Sequence, residues 1–161
     1  NGDYVIIQDA DLEYDPNQFE LFIKEVENNK IDALYGSRVL KKDKYKNIQN
    51  FSHKIRIWGN LLLTFISNII NKQNLTDAHT CYKMVRSDIF KKIEFKEKGF
   101  AFCPELNTKL SNLNVKIREI PINYEGRTYQ EGKKITAIDG LSAIKAIIKY
   151  KFFKKLWNLA R

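Results

Sequence analysis

The sequence contains only two cysteines and two histidines, and it has no apolar run long enough to cross a bilayer. Cys81 and Cys103 stand in neither a metal-binding nor a redox spacing, so we expect a reducing compartment. His53 and His79 lie far apart in sequence and make no ligand pair. Residues 57–70, the most apolar stretch, include polar side chains and fall short of the ~20 residues that a transmembrane helix needs. No charged-then-apolar leader opens the chain, so we expect no signal peptide.

The chain is strongly basic. Its 28 lysines and arginines outnumber 19 aspartates and glutamates, which leaves a net charge of +9. Such a charge indicates an anionic partner, which could be phosphate, nucleic acid or a membrane surface. The sequence shows no recognisable nucleic-acid module, so we expect no nucleic-acid partner. The 161 residues, 43% of them hydrophobic, can bury one sizeable core and suit a single domain.

Strand and helix patterns alternate along the chain. Strand patterns cover residues 4–9, 31–37, 81–87 and 115–125, and helix patterns cover 15–28, 51–71, 104–112 and the chain from about Asp139 onward. The first three elements predict a βαβ unit whose first strand is buried on both faces, and Pro121 places the last strand near an edge. The second helix has apolar residues at helical spacing, at Ile55, Trp58, Leu62, Phe65, Ile66 and Ile69. The layout predicts an α/β fold with helices covering a largely buried sheet. Because the chain starts directly before an interior-type strand, we expect it to be the second part of a larger domain.

Carboxylates occupy every second position where the first strand ends. Asp9, Asp11, Glu13 and Asp15 follow the apolar run, and Pro16 closes the segment. Open α/β sheets bind ligands at the carboxyl ends of their strands, and clustered hard oxygens suit Mg²⁺ or Mn²⁺. The alternative is a solvated acidic loop before a helix, where Asp15 would favour the helix dipole.

Two other motifs fit the same segment less well. A calcium-binding EF-hand loop would need glycine at Tyr14 and a helix rather than a strand before it, and Pro16 also interrupts it, so we reject that interpretation. A phosphatase of the haloacid dehalogenase type would use Asp9 as its nucleophile. Such enzymes usually continue with glycine and with threonine or valine, whereas this chain continues with Leu12 and Glu13.

Five ordered segments together resemble glycosyltransferase family 2. They are VIIQDADLEYDP (5–16), ALYGSR (33–38), LTDAHTCYKMVR (75–86), GFAFCPEL (99–106) and IPINYEGRTYQEGKKI (120–135). Within the family they look most like synthases that move a sugar from a nucleotide to dolichyl or polyprenyl phosphate. The resemblance implies a GT-A fold, a three-layer α/β/α structure truncated at its N-terminus, where the family's nucleoside-binding units are absent. It assigns residues 1–140 to the C-terminal part of the transferase domain.

The resemblance also implies roles for individual residues. Those assigned to the donor, its phosphates or a metal are Asp9, Asp11, Glu13, Ser37, Arg38, Arg127, Lys133 and Lys134. Asp9 and Asp11 would organise Mg²⁺ or Mn²⁺ and the diphosphate, with Glu13 as a further metal ligand. The cations between 127 and 134 would form a mobile basic loop that closes over the phosphates; the alternative is a solvated charged turn.

Four residues have a structural interpretation beside the functional one. Ser37 and Arg38 would face a donor or acceptor phosphate, or would only cap and solvate the end of a strand. Asp77 matches a family aspartate near the sugar and is assigned a catalytic role, although it could be a local cap. Glu105 could be a general base for a sugar hydroxyl, or could favour a helix N-terminus beside Pro104. A phosphate acceptor has a second pKa near ~6, is already anionic at neutral pH and needs no base.

The last segment, residues 141–161, is predicted to be a basic amphipathic helix. Between 142 and 161 it contains six lysines and arginines and no acidic residue. Ile144, Ile148, Phe152 and Leu156 are spaced along it as in helices that lie in a membrane interface. The alternative is a packing helix with a solvated lysine face.

Together these expectations describe a metal-dependent inverting glycosyltransferase of cell-envelope biogenesis. Its partners would be a nucleotide-sugar donor and a polyprenyl-phosphate acceptor, and it would be peripheral at the cytoplasmic face of the membrane. Two alternatives stay open. The enzyme could glycosylate a sugar hydroxyl of a cell-surface polysaccharide, or the chain could be a non-catalytic phosphate-binding remnant.

Overall fold

The structure is a computed structural model that describes residues 2–10, 13–40, 51–125 and 137–153. The strands are β1 (Tyr4–Ile7), β2 (Ala33–Ser37), β3 (Lys83–Arg86) and β4 (Ile117–Pro121). The α-helices are α1 (Phe19–Asn28), α2 (Phe51–Asn71), α3 (Ser87–Phe90), α4 (Phe102–Asn112) and α5 (Ala137–Phe152). Short 3-10 turns at Pro16–Gln18 and Gly99–Ala101 precede α1 and α4. Strands and helices follow one another in the predicted order, but each strand is shorter than the range predicted for it.

The four described strands form one mixed sheet in the order β1-β3-β2-β4. β3 runs antiparallel to both β1 and β2, whereas β2 and β4 are parallel. The predicted βαβ unit is therefore not a pair of neighbouring strands, because β3 inserts between β1 and β2. β1 lies at one end of the described sheet and is only partly buried, so the expectation that both its faces are buried was wrong for this part of the chain. β4 forms the other edge and contains Pro121, as predicted.

Alternate residues of the central strands enter two separate cores. Tyr35 and Val85 pack with Leu106 of α4 on one face of the sheet. Leu34 and Met84 pack with residues of α1 on the other face. This alternation is what a strand produces when both of its faces are covered. It confirms an α/β fold with helices on both sides of the sheet.

The long helix α2 exposes most of the apolar positions that the sequence analysis named. Trp58, Leu62, Phe65 and Ile69 are all exposed. The side that faces the domain combines Leu63 with hydroxyl and amide groups, at Thr64, Ser67 and Asn71. No helix in the described part of the chain is long and apolar enough to cross a membrane.

The C-terminal helix α5 packs on α2 and α4. Its buried side chains are Ala143, Ala146, Ile147 and Tyr150. Asn112 of α4 donates a hydrogen bond to the Tyr150 carbonyl at 2.8 Å. At least its described residues, up to 153, therefore form part of the helical layer. The predicted boundary after residue 140 falls inside this helix, and the separate segment 141–161 stays a prediction because residues 154–161 lie outside the described ranges.

Candidate active site

Most of the predicted site residues that the structure describes lie where strands of the sheet end. We call this side of the sheet the site edge, as distinct from the edge strands β1 and β4. The carboxyl ends of β1, β2 and β4 lie there, and the beginning of the antiparallel β3 lies there too. The strand register places Lys83, the first residue of β3, opposite both Ile7 and Tyr35. Asp9 and Arg38 follow their strands, and the segment 76–82 leads into β3. The site is thus built from loops on a shared sheet edge, where α/β sheets bind ligands.

An ion pair between Arg38 and Asp77 is the centre of this edge. Arg38 Nε donates to Asp77 Oδ2 at 2.6 Å, and Nη2 donates to Oδ1 at 2.8 Å. The Arg38 backbone N–H and the Asn60 side chain add hydrogen bonds of 3.1 Å each. Burial alone would raise the pKa of Asp77, but the charge and hydrogen bonds of Arg38 lower it to about 2. Asp77 is therefore an ionised group that orients Arg38.

The Thr76–Asp77 turn is fixed to the end of β2 and to β4. Glu119 accepts hydrogen bonds from the backbone N–H groups of Thr76 and Asp77 at 2.7 and 3.0 Å. The fully buried Ser37 hydroxyl contacts the Thr76 hydroxyl at 2.6 Å and accepts from the N–H groups of residues 39–40. Ser37 thus caps the strand end as well as lying at the site. The role of Glu119 was not predicted. In the sequence it is only a charged residue within a strand pattern, and nothing there indicates its contacts with residues 76–77.

The acidic segment after β1 is tied to the segment that precedes the predicted basic loop. Glu13 Oε2 accepts a hydrogen bond of 2.6 Å from the Tyr124 hydroxyl, and the Glu125 N–H donates to the Glu13 carbonyl at 3.0 Å. Gln18 exchanges two hydrogen bonds with the backbone of Asn123. Residues 13–18 and residues 123–125 therefore have fixed relative positions.

An aromatic cluster lies beneath Arg38. The Arg38 guanidinium carbon is 5.0 Å from the centre of the Tyr124 ring. The Tyr14 ring packs on Tyr82 at 4.7 Å and on Tyr124 at 5.0 Å. The Tyr14 hydroxyl accepts a hydrogen bond from the Cys81 N–H at 3.2 Å. These rings were not predicted as part of the site. The packed rings form an apolar surface that supports the Arg38 side chain.

The two cysteines meet at this site, although their spacing predicted no relationship. The Cys81 and Cys103 side chains contact each other, and the Asp9 side chain contacts Cys81. Cys103 Sγ also lies 3.6 Å from the Thr80 carbonyl. The Cys81 hydrogen bond and the Lys83 charge lower the pKa of Cys103, despite opposing burial, while the pKa of Cys81 is raised. Cys103 is therefore the more acidic thiol.

This difference predicts selective alkylation. We expect iodoacetamide to modify Cys103 faster than Cys81 at neutral pH, because the thiolate is the reactive species. Cys81→Ala should slow the reaction at Cys103 by removing the hydrogen bond that stabilises its thiolate. Cys81→Ser keeps a donor and should slow it less. Peptide mass spectrometry between pH 6 and 8 measures both rates; equal rates at the two thiols would contradict the assignment.

Residues 79 and 80 present buried polar atoms next to Asp77. Neither ring nitrogen of His79 nor the Thr80 hydroxyl has a hydrogen-bond partner within the described ranges. The His79 ring stacks on Phe100 at 5.1 Å. Burial, together with the Lys83 charge, lowers the pKa of His79 to about 3, so the ring is neutral. Buried polar atoms usually have partners, so this segment has hydrogen-bonding capacity for a bound ligand.

A family comparison agrees with this geometry. The protein-family model for glycosyl transferase family 2 matches residues 1–94, which is more than half of the chain. The chain belongs to glycosyltransferase family 2. Its mixed sheet with helical layers is the architecture expected for the GT-A fold of that family.

Two curated proteins are similar to this family 2 chain over much of its length. It is 25% identical over 126 residues to a low-salt glycan biosynthesis hexosyltransferase of Haloferax volcanii, which covers 78% of this chain and 30% of that protein. It is 24% identical over 151 residues to an uncharacterised protein of Methanocaldococcus jannaschii, with 92% of this chain and 60% of that protein covered. The chain thus spans less than two thirds of each relative.

Glu105 lies inside the helical layer, in the first turn of α4, and not with the other predicted site residues of this family 2 chain. It is fully buried, and its carboxylate accepts hydrogen bonds from the backbone N–H groups of Lys96 at 3.0 Å and Glu97 at 2.8 Å. It also forms an ion pair of 2.5 Å with the equally buried Lys109, one helical turn further along α4. These contacts support the structural alternative, in which Glu105 anchors the start of α4.

The remaining predicted residues lie partly outside the described ranges. Asp11, Arg127, Lys133 and Lys134 are among the residues that the structure does not describe. Asp9 is partly exposed and forms no ion pair with the described residues. Within those residues no three histidine, cysteine or acidic side chains form a group that could hold a metal. The hard oxygens of Asp9 fit a divalent ion, whereas Glu13 is held by Tyr124.

Proposed function

We propose that the intact protein is an inverting glycosyltransferase that moves a sugar from a nucleotide-sugar donor to a polyprenyl-phosphate acceptor. The observation that carries the proposal is the buried Arg38–Asp77 pair on the sheet edge that also bears Asp9. A fixed cation beside a carboxylate at a strand end suits a substrate that contains phosphate. The family assignment supports the same chemistry.

The leaving group determines what this site has to do. Departure of a nucleoside diphosphate places negative charge on the phosphate oxygens, and preorganised cations lower the barrier by stabilising it. In the proposal, Asp9 and Asp11 would hold Mg²⁺ or Mn²⁺, which would supply a positive charge for those oxygens. Arg127, Lys133 and Lys134 would close over the phosphates, and Asp77 would keep Arg38 in position.

The proposed acceptor removes the need for a general base. A phosphate oxygen of the acceptor attacks the anomeric carbon from the side opposite the diphosphate, so the configuration inverts in one displacement. The attacking oxygen is already anionic at neutral pH and needs no deprotonation. Asp77 forms an ion pair with Arg38, and Glu105 forms one with Lys109. The proposal assigns these two carboxylates to the ion pairs and does not use either as a base.

The similarity to a hexosyltransferase of glycan biosynthesis keeps one alternative open. Transfer to a sugar hydroxyl would require a base, and Asp9 is a partly exposed carboxylate at the end of β1. With a phosphate acceptor, the rate would instead follow the second ionisation of the phosphate. A non-catalytic remnant would bind the nucleotide without turnover.

The test is an assay of the full-length protein with labelled nucleotide sugars. Each donor is incubated with a polyprenyl phosphate, and with a neutral glycan in a parallel reaction. Labelled polyprenyl-phosphate sugar, separated by thin-layer chromatography, is the expected product. Label in the glycan alone would favour the hydroxyl acceptor, and nucleotide binding without any transfer would indicate the remnant.

The basic loop makes a separate prediction. Arg127→Ala and Lys133→Ala should each weaken turnover of the nucleotide sugar, because each removes a charge-assisted contact worth about 1.5–3 kcal/mol. Lys24→Ala is a matched control, since Lys24 pairs with Glu20 on an exposed helix surface. Its kcat/KM should stay at the wild-type value. Unchanged kcat/KM in the two loop variants would identify the loop as a solvated turn.

A further inference from the structure

Two thiols from distant parts of the chain form a pair beside the candidate site. Cys81 precedes β3, and Cys103 lies in the first turn of α4. Their side chains contact each other, and Cys103 Sγ lies 3.6 Å from the carbonyl oxygen of Thr80, the residue before Cys81. Because the side chains already touch, the two sulfurs need little movement to reach the bonding distance of about 2.0 Å.

Hydrogen bonds fix the backbone around this pair. The Cys81 N–H donates to the Tyr14 hydroxyl at 3.2 Å. One helical turn after Cys103, Asn107 Nδ2 donates to the Ala78 carbonyl at 2.7 Å. Helix α4 therefore already holds the segment before β3 through two residues on one of its faces. A covalent bond between the thiols would add to these contacts and would require no new arrangement of the backbone.

The surroundings of the pair distinguish it from two cysteines that only fill space. A thiol in a protein interior behaves as a small apolar side chain and is usually fully buried. Cys81 and Cys103 are both partly exposed, so small solutes can reach them. The Cys81 thiol also contacts the Asp9 carboxylate, which follows β1. The pair is therefore both accessible and adjacent to a predicted site residue.

We propose that Cys81 and Cys103 are a modification site that small disulfides such as oxidised glutathione convert reversibly into an intramolecular disulfide, which lowers sugar transfer. One protein thiolate attacks a sulfur of the small disulfide, which gives a mixed disulfide and releases one small thiol. The second protein thiolate attacks the protein sulfur of the mixed disulfide and displaces the other small thiol. The two protein thiols are oxidised, and the small disulfide is reduced to two thiols that take up the two protons.

The disulfide would act on the site through Asp9. In the reduced pair the Cys81 thiol is hydrogen-bonded to the Asp9 carboxylate. A disulfide has no S–H group to donate, and it draws the Cys81 sulfur towards α4, so the carboxylate loses a neighbour that orients it. The effect on transfer rests on the proposed function, in which Asp9 belongs to the donor site. Disulfides in a reducing compartment are usually transient and regulatory, which suits a reversible bond.

Peptide mass spectrometry tests the bond itself. The intact protein is incubated with graded ratios of reduced to oxidised glutathione, blocked with iodoacetamide and digested without reductant. Peptides linked through Cys81 and Cys103 should accumulate as the ratio falls and should separate after dithiothreitol. Cys103→Ser should give only the glutathione adduct of Cys81, because no second thiol resolves the mixed disulfide.

Transfer is measured on the same samples. Oxidation should lower the initial rate of the wild-type protein by about tenfold or more, because small displacements of positioning groups are costly to a reaction. Dithiothreitol should restore the rate. Cys81→Ser with Cys103→Ser is the control, and its rate should be the same in reduced and in oxidised glutathione. Each protein is compared with its own reduced rate, and circular dichroism confirms that the control folds.

Four results would overturn the inference. These are absence of the linked peptides at every glutathione ratio, linkage only within covalent dimers, a linked protein that transfers sugar at its reduced rate, and an equal loss of rate in the control. The linked peptides are detected without donor or turnover. A reduced protein that transfers no sugar would refute the proposed function and the effect on transfer, whereas the linked peptides would still establish the modification site.

Discussion

Glu105→Gln is expected to lower the free energy of unfolding by about 3–5 kcal/mol, because it leaves the buried Lys109 cation without its counter-charge. The carboxylate also anchors the backbone N–H groups of Lys96 and Glu97, which glutamine can satisfy only in part. The size of the effect follows from burial, since neither side chain of the pair is exposed to water. Urea denaturation monitored by circular dichroism gives the free energy directly.

The chain contains a matched control for this substitution. Glu20 and Lys24 form a pair with the same helical spacing on α1, but their side chains are 77% and 69% exposed. Glu20→Gln should cost no more than about 0.5 kcal/mol. Adding Lys109→Met to Glu105→Gln should recover part of the lost stability, because it removes the buried cation that has lost its ion pair with Glu105. A Glu105→Gln protein of normal stability but without transferase activity would instead support the predicted general base.

Asp11→Asn is expected to reduce sugar transfer by the intact protein on the order of 10²–10³-fold, the range seen when one electrostatic stabiliser of a transition state is lost. The physical reason is that Asp9 and Asp11 together would supply the hard oxygens for the divalent ion. A chelator should reproduce the defect in the wild-type protein. Initial rates at saturating donor measure both effects.

Asp15→Asn is the control for the same segment. The Asp15 side chain accepts a hydrogen bond of 2.9 Å from the Asn17 N–H at the start of the turn before α1, and asparagine caps equally well. This variant should retain nearly full activity. If the chelator leaves the wild-type rate unchanged, the metal assignment is wrong. If the two variants lose activity equally, the defect reflects disturbance of the segment and not a missing ligand.

The sequence predicted the element types well because they follow from local periodicity. The helix at 51–71 has the predicted bounds, and Pro121 correctly indicated an edge strand. The insertion of β3 between β1 and β2 could not be predicted in the same way. Strand order depends on pairing between distant residues, which leaves no local pattern. The orientation of α2 was missed for a related reason, because periodicity shows that a helix has two faces but not which one the domain covers.

The same distinction between local patterns and long-range contacts applies to the candidate site. The acidic segment after β1 was singled out because it follows an apolar run, and the resemblance added Arg38 and Asp77. Glu119, Tyr124 and the contact between Cys81 and Cys103 were missed because each depends on residues brought together only by the tertiary fold. Glu105 shows the opposite case. Its motif suggested catalysis, whereas its burial with Lys109 could be seen only in the structure.

The position of β1 also affects how the chain can fold during synthesis. Within the described residues, β1 pairs with β3 alone, so Tyr4 meets Arg86 only after the whole intervening segment has been translated. At roughly 5–20 residues per second, that wait lasts on the order of 4–16 seconds. The pairing of β1 with β3 therefore forms late in synthesis and closes a long loop that contains α1, β2 and α2. Such non-local pairing slows folding, so the strand order makes completion of this part of the sheet depend on translation as far as residue 86.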